Sequence, residues 1–286
     1  MDLQTNKKEF KGLTAFDIKL LALVFMLLDH IHYFFQFTGK VPLLFSWIGR
    51  LAGHLFLFTM VEGYTHTSNR KKYFLRIYIM SVFMAIIKAL MEIFPALQRG
   101  DGFYAENSIL STFVVLIVIF KGIDYMREKK YLKGIGLVLS PFIANYVVMI
   151  ICQLFVPILS MDIVNNIHQI ATSFIPSPFM VEGGLFLIIV GIILYAFRGK
   201  RKVKFLLFGI FALAWMIGIP LAFLRPISIK LFFTNYYEWM GVFAVIFMFM
   251  YNGEKGKSMK KLFYIFYPAH VYILYGLSIL LYNLRY

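Results

Sequence analysis

The chain has 286 residues, of which 60% are hydrophobic, 19% aromatic and 15% charged; an ordinary soluble domain is about 45–50% apolar and about 25% charged. This excludes a water-soluble globular enzyme and also a disordered chain, which needs low hydrophobicity. The single cysteine, Cys152, excludes an internal disulfide framework and a cysteine-rich zinc site. The formal charge is +15, from 29 basic and 14 acidic residues, so where the charges sit decides between nucleic acid and a membrane as their cause.

A membrane-crossing helix needs about 20 mostly apolar residues. Nine stretches meet or approach that length, in chain order 16–36, 41–62, 73–95, 107–124, 131–158, 180–197, 203–223, 235–250 and 262–282. The expected fold is all-α, a polytopic integral membrane helical bundle forming a single transmembrane domain, with eight and ten spans as the limits. The first stretch is too long for a cleaved signal peptide, and no small-residue cleavage site follows it. Pro141 leaves 131–158 as either one kinked helix or two short pieces. Segment 161–175 carries no Lys or Arg, and Ile163, Val164, Ile167, Ile170, Ala171 and Phe174 recur at helical spacing. It reads as an interfacial helix on the outer surface or as a stretched connecting loop.

Basic residues concentrate in cytoplasmic loops, which tests the count independently. Alternate segments hold Lys7, Lys8, Lys11 and Lys19; Arg70, Lys71, Lys72 and Arg76; Lys121, Arg127, Lys129, Lys130 and Lys133; Arg198, Lys200, Arg201, Lys202 and Lys204; and Lys255, Lys257, Lys260 and Lys261. The intervening segments hold only Lys40, Arg99, Arg225, Lys230 and Arg285. Twenty-two of 29 basic residues thus mark one face. Nine spans with a cytoplasmic N-terminus follow, and no nucleic-acid partner is implied.

A charge at the bilayer centre costs roughly 2.5–3.5 kcal/mol on insertion scales, so each polar residue within the spans needs a reason. Span 1 places Asp29, His30, His32 and Tyr33 in its outer half, and span 2 brings Arg50 and His54 to similar depth. Glu62 and His66 fall at the cytoplasmic end of span 2, Asn107 and Glu182 at the outer side, and His270 in the inner half of span 9 beside Pro268. Lys88 and Glu92, four apart, read as a structural pair or as snorkelling residues. Mutual pairing accounts for Asp29 with Arg50 but not for the imidazole beside them. A histidine can act as general base near neutral pH, a carboxylate can fix its tautomer, and an arginine can stabilise an oxyanion. His30, Asp29 and Arg50 therefore suit acyl transfer to an amine or hydroxyl; they are also compatible with a proton relay in a transporter. No metal is expected, because His30 and His32 are two apart and point to different helix faces. Gly256-Lys257-Ser258 ends like a phosphate-binding loop, but Tyr251 stands at the required first glycine. The run 251–261 reads as a basic cytoplasmic turn.

The blocks LTAFDIKLLALVFMLLDHIHYF, IGRLAGHLFLFTMVEGYTHTSNRKKYFLRI, NSILSTF, EGGLFLIIVGIILYAFR, YNGEKG and FYIFYPAHVYIL, in this order from span 1 to span 9, resemble the TraX family, known for N-terminal acetylation of F-type pilin. That family is distantly similar to the acyltransferase-3 membrane enzymes, which use cytoplasmic acyl-CoA. The resemblance implies a bacterial cytoplasmic membrane location, acetyl-CoA as acyl donor, and a pilin-like peptide or a cell-envelope component as acceptor. It matches Asp29 and His30 to an Asp-His pair and Arg50 to a Gly-Arg pair. Glu62, Gly63, His66 and Thr67 match the next turn, with Asn69 and Arg70 after it, and Asn107, Tyr251, Asn252, Gly253, Tyr267, Pro268 and His270 match later blocks. On this basis His30, Asp29 and Arg50 are expected to be catalytic. Glu62, His66, Asn69, Arg70, Tyr251, Asn252, Gly253, Tyr267 and His270 are expected to face the donor, and Asn107 and Glu182 the acceptor. His32 and His54 stand where the family has glycine and proline, and inherit no role. A membrane transporter and a non-catalytic assembly factor for a surface structure are the competing readings.

Overall fold

A computed structural model describes residues 12–223, 228–258 and 260–286; Lys7, Lys8, Lys11 and Arg225 lie outside them. The elements are α1 Ala15–Phe35, α2 Leu44–His66, α3 Arg70–Ile93, α4 Ile109–Arg127, α5 Tyr131–Gln153, α6 Met161–Phe174, α7 Gly184–Ala196, α8 Arg201–Phe223, α9 Leu231–Thr234, α10 Ala244–Met250 and α11 Lys260–Arg285, with a 3₁₀ stretch Tyr237–Phe243 leading into α10. There is no strand among the described residues, only an isolated bridge between Leu13 and Tyr251. Among the described residues seven helices are long and apolar enough to cross a membrane, and Gly184–Ala196 and Tyr237–Met250 are shorter apolar helices at the sixth and eighth expected spans.

Local chemistry sets several boundaries. Thr14 and Asp17 cap α1 reciprocally, the Thr14 hydroxyl accepting the Asp17 N–H and the Asp17 carboxylate accepting the Thr14 N–H at 2.9 Å. The Asn69 side chain caps α3 by accepting the Lys72 N–H. α5 is one helix with Pro141 inside it, which settles the kinked-or-split question in favour of a single element.

Segment 161–175 is helical, but α6 does not lie beyond the outer end of α3. Gln169 donates to Glu92 at 2.8 Å, and Tyr78, only eight residues into α3, donates to the Phe174 carbonyl at 3.1 Å. α6 therefore runs down along α3. Glu92 takes Gln169 as its partner, and no ion pair joins it to Lys88 among the described residues. The 13 residues of α7 span only about 20 Å at 1.5 Å per residue, short of the roughly 30 Å of hydrocarbon.

α2 and α4 form the centre. In their most apolar stretches 56% and 67% of residues are buried, against 11% for α5 and 22% each for α3, α8 and α11, which turn Leu132, Leu206, Ile210, Ile265 and Leu280 outward. α4 and α5 meet at two glycines: a Cβ on Gly122 would lie 2.8 Å from the Gly134 carbonyl oxygen, so only small residues permit this approach.

Polar knots tie the bundle at several depths. At the basic face, Asp124 of α4 pairs with Arg70 at 2.5 Å and Arg198 at 3.1 Å and accepts from the Tyr195 hydroxyl at 2.8 Å. Deeper, Lys204 of α8 meets Glu62 of α2 at 2.7 Å, both side chains buried. At the opposite face, Arg99 binds both oxygens of Asp101 at 2.9 Å and the Phe34 carbonyl at 2.9 Å, stacked near Phe37 and Phe103. The Arg99 hydrogen bonds hold the Asp101 carboxyl below the usual carboxylate range. A depressed folded value contributes stability above the unfolded value of about 3.9, lost as pH falls through the folded value. Thermal unfolding of Asp101→Asn should therefore differ from that of the parent at pH 5–7 and converge with it in strong acid.

Candidate functional site

The site is assembled where α1, α2, the N-terminus of α4 and α11 meet. Successive helical residues point about 100° apart, and this separates Asp29 from His30. Asp29 faces α2, where Arg50 Nη2 reaches both its oxygens at 2.5 and 2.6 Å. Arg50 Nη1 continues to Glu238, at 2.8 and 3.1 Å, and its Nε donates to the Ser46 carbonyl at 3.3 Å. Gly49 permits this closeness, since a Cβ there would overlap the Asp29 side chain.

His30 turns the other way. Its Nδ1 lies 2.7 Å from Nε2 of His270, and its Nε2 lies 2.9 Å from Nδ2 of Asn107, just before α4. Both imidazoles are buried, their planes within 5° of each other. This corrects two expectations. Asp29 does not orient the imidazole, because Arg50 holds it and both His30 nitrogens are already engaged. His270, expected to face the donor, is absent from the lining of the large cavity and sits against His30, because α11 runs beside α1. Asn107, expected at the acceptor, is hydrogen-bonded to His30. Glu182 is close by: its carboxylate accepts the Ser108 N–H at 2.7 Å and its carbonyl accepts from the Thr112 hydroxyl at 2.6 Å.

Two neighbouring spaces adjoin this cluster. A cavity of about 690 Å³ opens at the basic face, and Lys19, Lys72, Arg76, Lys255 and Lys257 line it together with Glu62, His66, Asn69, Tyr251 and Gly253. Its inner part is apolar, bounded by Leu23, Met60, Leu110 and Phe113. Met26, Phe56, Ile109 and Tyr267 are shared with a pocket of about 40 Å³ whose walls include Asp29, His30, Gly49 and Glu182. Cationic side chains thus line the mouth of the larger space and apolar ones its interior, and the four shared residues stand between it and the pocket at the buried histidine.

Two expected donor-facing residues are elsewhere. Arg70 is taken by Asp124, and the Asn252 side-chain oxygen caps the turn by accepting the Glu254 N–H. The basic lining of the cavity comes instead from Lys72 and Arg76, one helical turn apart on α3, and from the turn after Tyr251. His54 and His32 have structural partners, the Arg50 carbonyl at 2.9 Å and the Ser46 hydroxyl at 3.0 Å. Glu238 had no sequence signal, since it lies 188 positions from Arg50 in a short segment outside the long helices.

A family model for the TraX protein matches residues 16–278, a range that takes in every element of this site. The chain belongs to the TraX family. No curated protein and no solved structure gives a significant match. As a TraX family member it is a membrane protein by its several apolar helices, and His30, Arg50, Asn107 and His270 all fall inside the matched region. Among the described residues, no group of three or more His, Cys, Asp or Glu side chains could hold a metal ion.

Proposed function

We propose that the protein is an integral membrane acyltransferase of the bacterial cytoplasmic membrane, moving an acetyl group from cytoplasmic acetyl-CoA to an amine or hydroxyl acceptor, a pilin-like peptide or a cell-envelope component. The observation that carries this reading is that the basic cavity adjoins the small pocket at His30, the two sharing Met26, Phe56, Ile109 and Tyr267 as walls. Acetyl-CoA is a polyanion joined to a slender, weakly polar arm. Lys72, Arg76, Lys255 and Lys257 suit its phosphates. The apolar throat between Met26, Phe56, Ile109 and Tyr267 suits the arm, and a volume of about 690 Å³ is of the size that encloses cofactor-scale ligands.

In this reading His30 is the general base. It takes a proton from the acceptor N–H or O–H as that atom attacks the thioester carbonyl; the C–S bond then breaks, and the sulfur leaves with the electron pair and receives a proton. Arg50 holds Asp29, and the Arg50–Glu238 pair borders the outer approach of the acceptor. Glu182 and Asn107 stand where the acceptor would bind.

Full-length protein in detergent, given acetyl-labelled CoA with a free-amine peptide or a hydroxyl-bearing lipid or glycan, should pass label to one acceptor class. Reversing two charges at the mouth, Lys72→Glu with Arg76→Glu, should weaken CoA binding by about tenfold or more, a loss of at least about 1.4 kcal/mol. Absence of both CoA binding and label transfer would sink the reading, and solute flux in proteoliposomes without CoA would favour the transporter.

A further inference from the structure

The hydrogen bonds around His30 have a direction that can be worked out from one end. The carbonyl oxygen of Phe266 can only accept, so His270 Nδ1, 2.8 Å from it, carries the hydrogen. A neutral imidazole has one N–H, which leaves His270 Nε2 an acceptor. His30 Nδ1, 2.7 Å away, must then be the donor. His30 Nε2 is consequently the bare nitrogen, and the Asn107 amide nitrogen donates to it at 2.9 Å. The opposite amide orientation would need a hydrogen on His30 Nε2 and one on His270 Nε2, and would set the His270 Nδ1 lone pair against the Phe266 oxygen. With this polarity Asn107 Oδ1 faces away from His30 and has no hydrogen-bond partner.

We propose that His270 is the proton-holding partner of His30, so that the base is a two-imidazole relay from α1 to α11 with His30 Nε2 as the atom that meets the acceptor. This rests on the acyltransferase reading and deepens it. Asn107 covers the bare nitrogen until an acceptor N–H or O–H takes its place. When His30 Nε2 gains the acceptor's proton, its Nδ1 proton passes 2.7 Å to His270 Nε2. His270 then holds hydrogens on both nitrogens, one against the Phe266 carbonyl. The acceptor's electron pair forms the new bond to the acyl carbon and the C–S pair goes to sulfur. The proton returns along the same path to the thiolate, leaving both imidazoles neutral. Phe34, Phe266 and Tyr267 pack against the two rings and keep water from the stored proton. The charged groups facing the pair are Asp29 and Glu182 on the pocket wall and Arg50 behind Asp29. His270 acts through His30 and is a positioning residue that also stores charge.

Two measurements on the full chain test this. ¹⁵N spectra of histidine-labelled protein should show His30 and His270 each protonated at Nδ1 and bare at Nε2. In His270→Gln the amide oxygen can still accept from His30 Nδ1 but cannot hold a proton. That variant should bind acetyl-CoA as the parent does and transfer label about 10²-fold more slowly. His270→Ala should regain part of its transfer on addition of imidazole, which a purely structural role would not allow. A His30 protonated at Nε2, or His270→Gln transferring at the parent rate, would overturn the relay. If the parent transfers no label at all, the acyltransferase reading fails instead, and the spectra still decide the hydrogen-bond order.

Discussion

Replacing His30 with alanine is expected to reduce acyl transfer by about 10²–10⁴-fold, the usual contribution of a positioned general base, while leaving acetyl-CoA binding unchanged. The two effects separate because His30 does not line the large cavity, whose basic mouth would hold the donor. The substitution also removes the acceptor of the Asn107 amide and the donor to His270, and each buried polar group left unpaired costs about 1–3 kcal/mol. Some loss of stability is therefore expected, and folding must be followed by size exclusion and thermal unfolding alongside transfer. His30→Gln supplies the control, since its amide can keep one of the two hydrogen bonds without acting as a base. Full transfer by folded His30→Ala would remove His30 from the chemistry.

Much of the architecture was readable because hydropathy and charge report depth and direction. Basic residues from different alternate loops do come together among the described residues, Arg70 and Arg198 at Asp124, and Lys19, Lys72, Arg76, Lys255 and Lys257 around one cavity. Depth alone brought Arg50 to Asp29, because α1 and α2 are joined by a short turn and must be neighbours. Azimuth was harder. The 100° step between Asp29 and His30 already forbids both from facing α2, yet which helix receives the second is a matter of long-range packing. His270 is 240 positions away and Asn107 is 77, and neither hydropathy nor spacing relates them to His30. The same limit applies to Arg70: its charge places it at the basic face, but whether it turns to the cavity or to Asp124 depends on how α3 rotates against α4. Glu238 was invisible for a different reason. It lies in a 3₁₀ stretch, Tyr237–Phe243, where neither a helical nor a strand period assigns a face.

Asp124→Ala is expected to be the most destabilising single change in the bundle. The carboxylate is about 10% exposed and is the shared partner of two guanidiniums and the Tyr195 hydroxyl. Removing one member of a buried ion pair costs about 3–5 kcal/mol because the opposite charge stays behind without compensation. Here two cations stay behind. Arg198, 23% exposed, lies over the Tyr195 ring at 4.2 Å from its centroid and cannot swing to water without uncovering aromatic surface, whereas Arg70, over the Tyr64 ring at 4.8 Å, is already 38% exposed and adds less to the loss. Tyr195 in turn stacks on Phe120 at 4.1 Å within the central core. The loss should therefore spread through α3, α4 and α7 and appear as a large drop in the thermal unfolding midpoint in detergent. Asp124→Asn, which keeps an acceptor of the same shape, should fall between the parent and Asp124→Ala. Combining Asp124→Ala with Arg70→Ala should recover part of the loss, because one uncompensated charge is then gone. An Asp124→Ala variant as stable as the parent would mean that the knot is a solvated surface network. In a folded variant acetyl-CoA binding should persist, since Asp124 does not line the cavity; the knot ties helices together, whereas in the proposed function the rim of lysines and Arg76 would hold the donor.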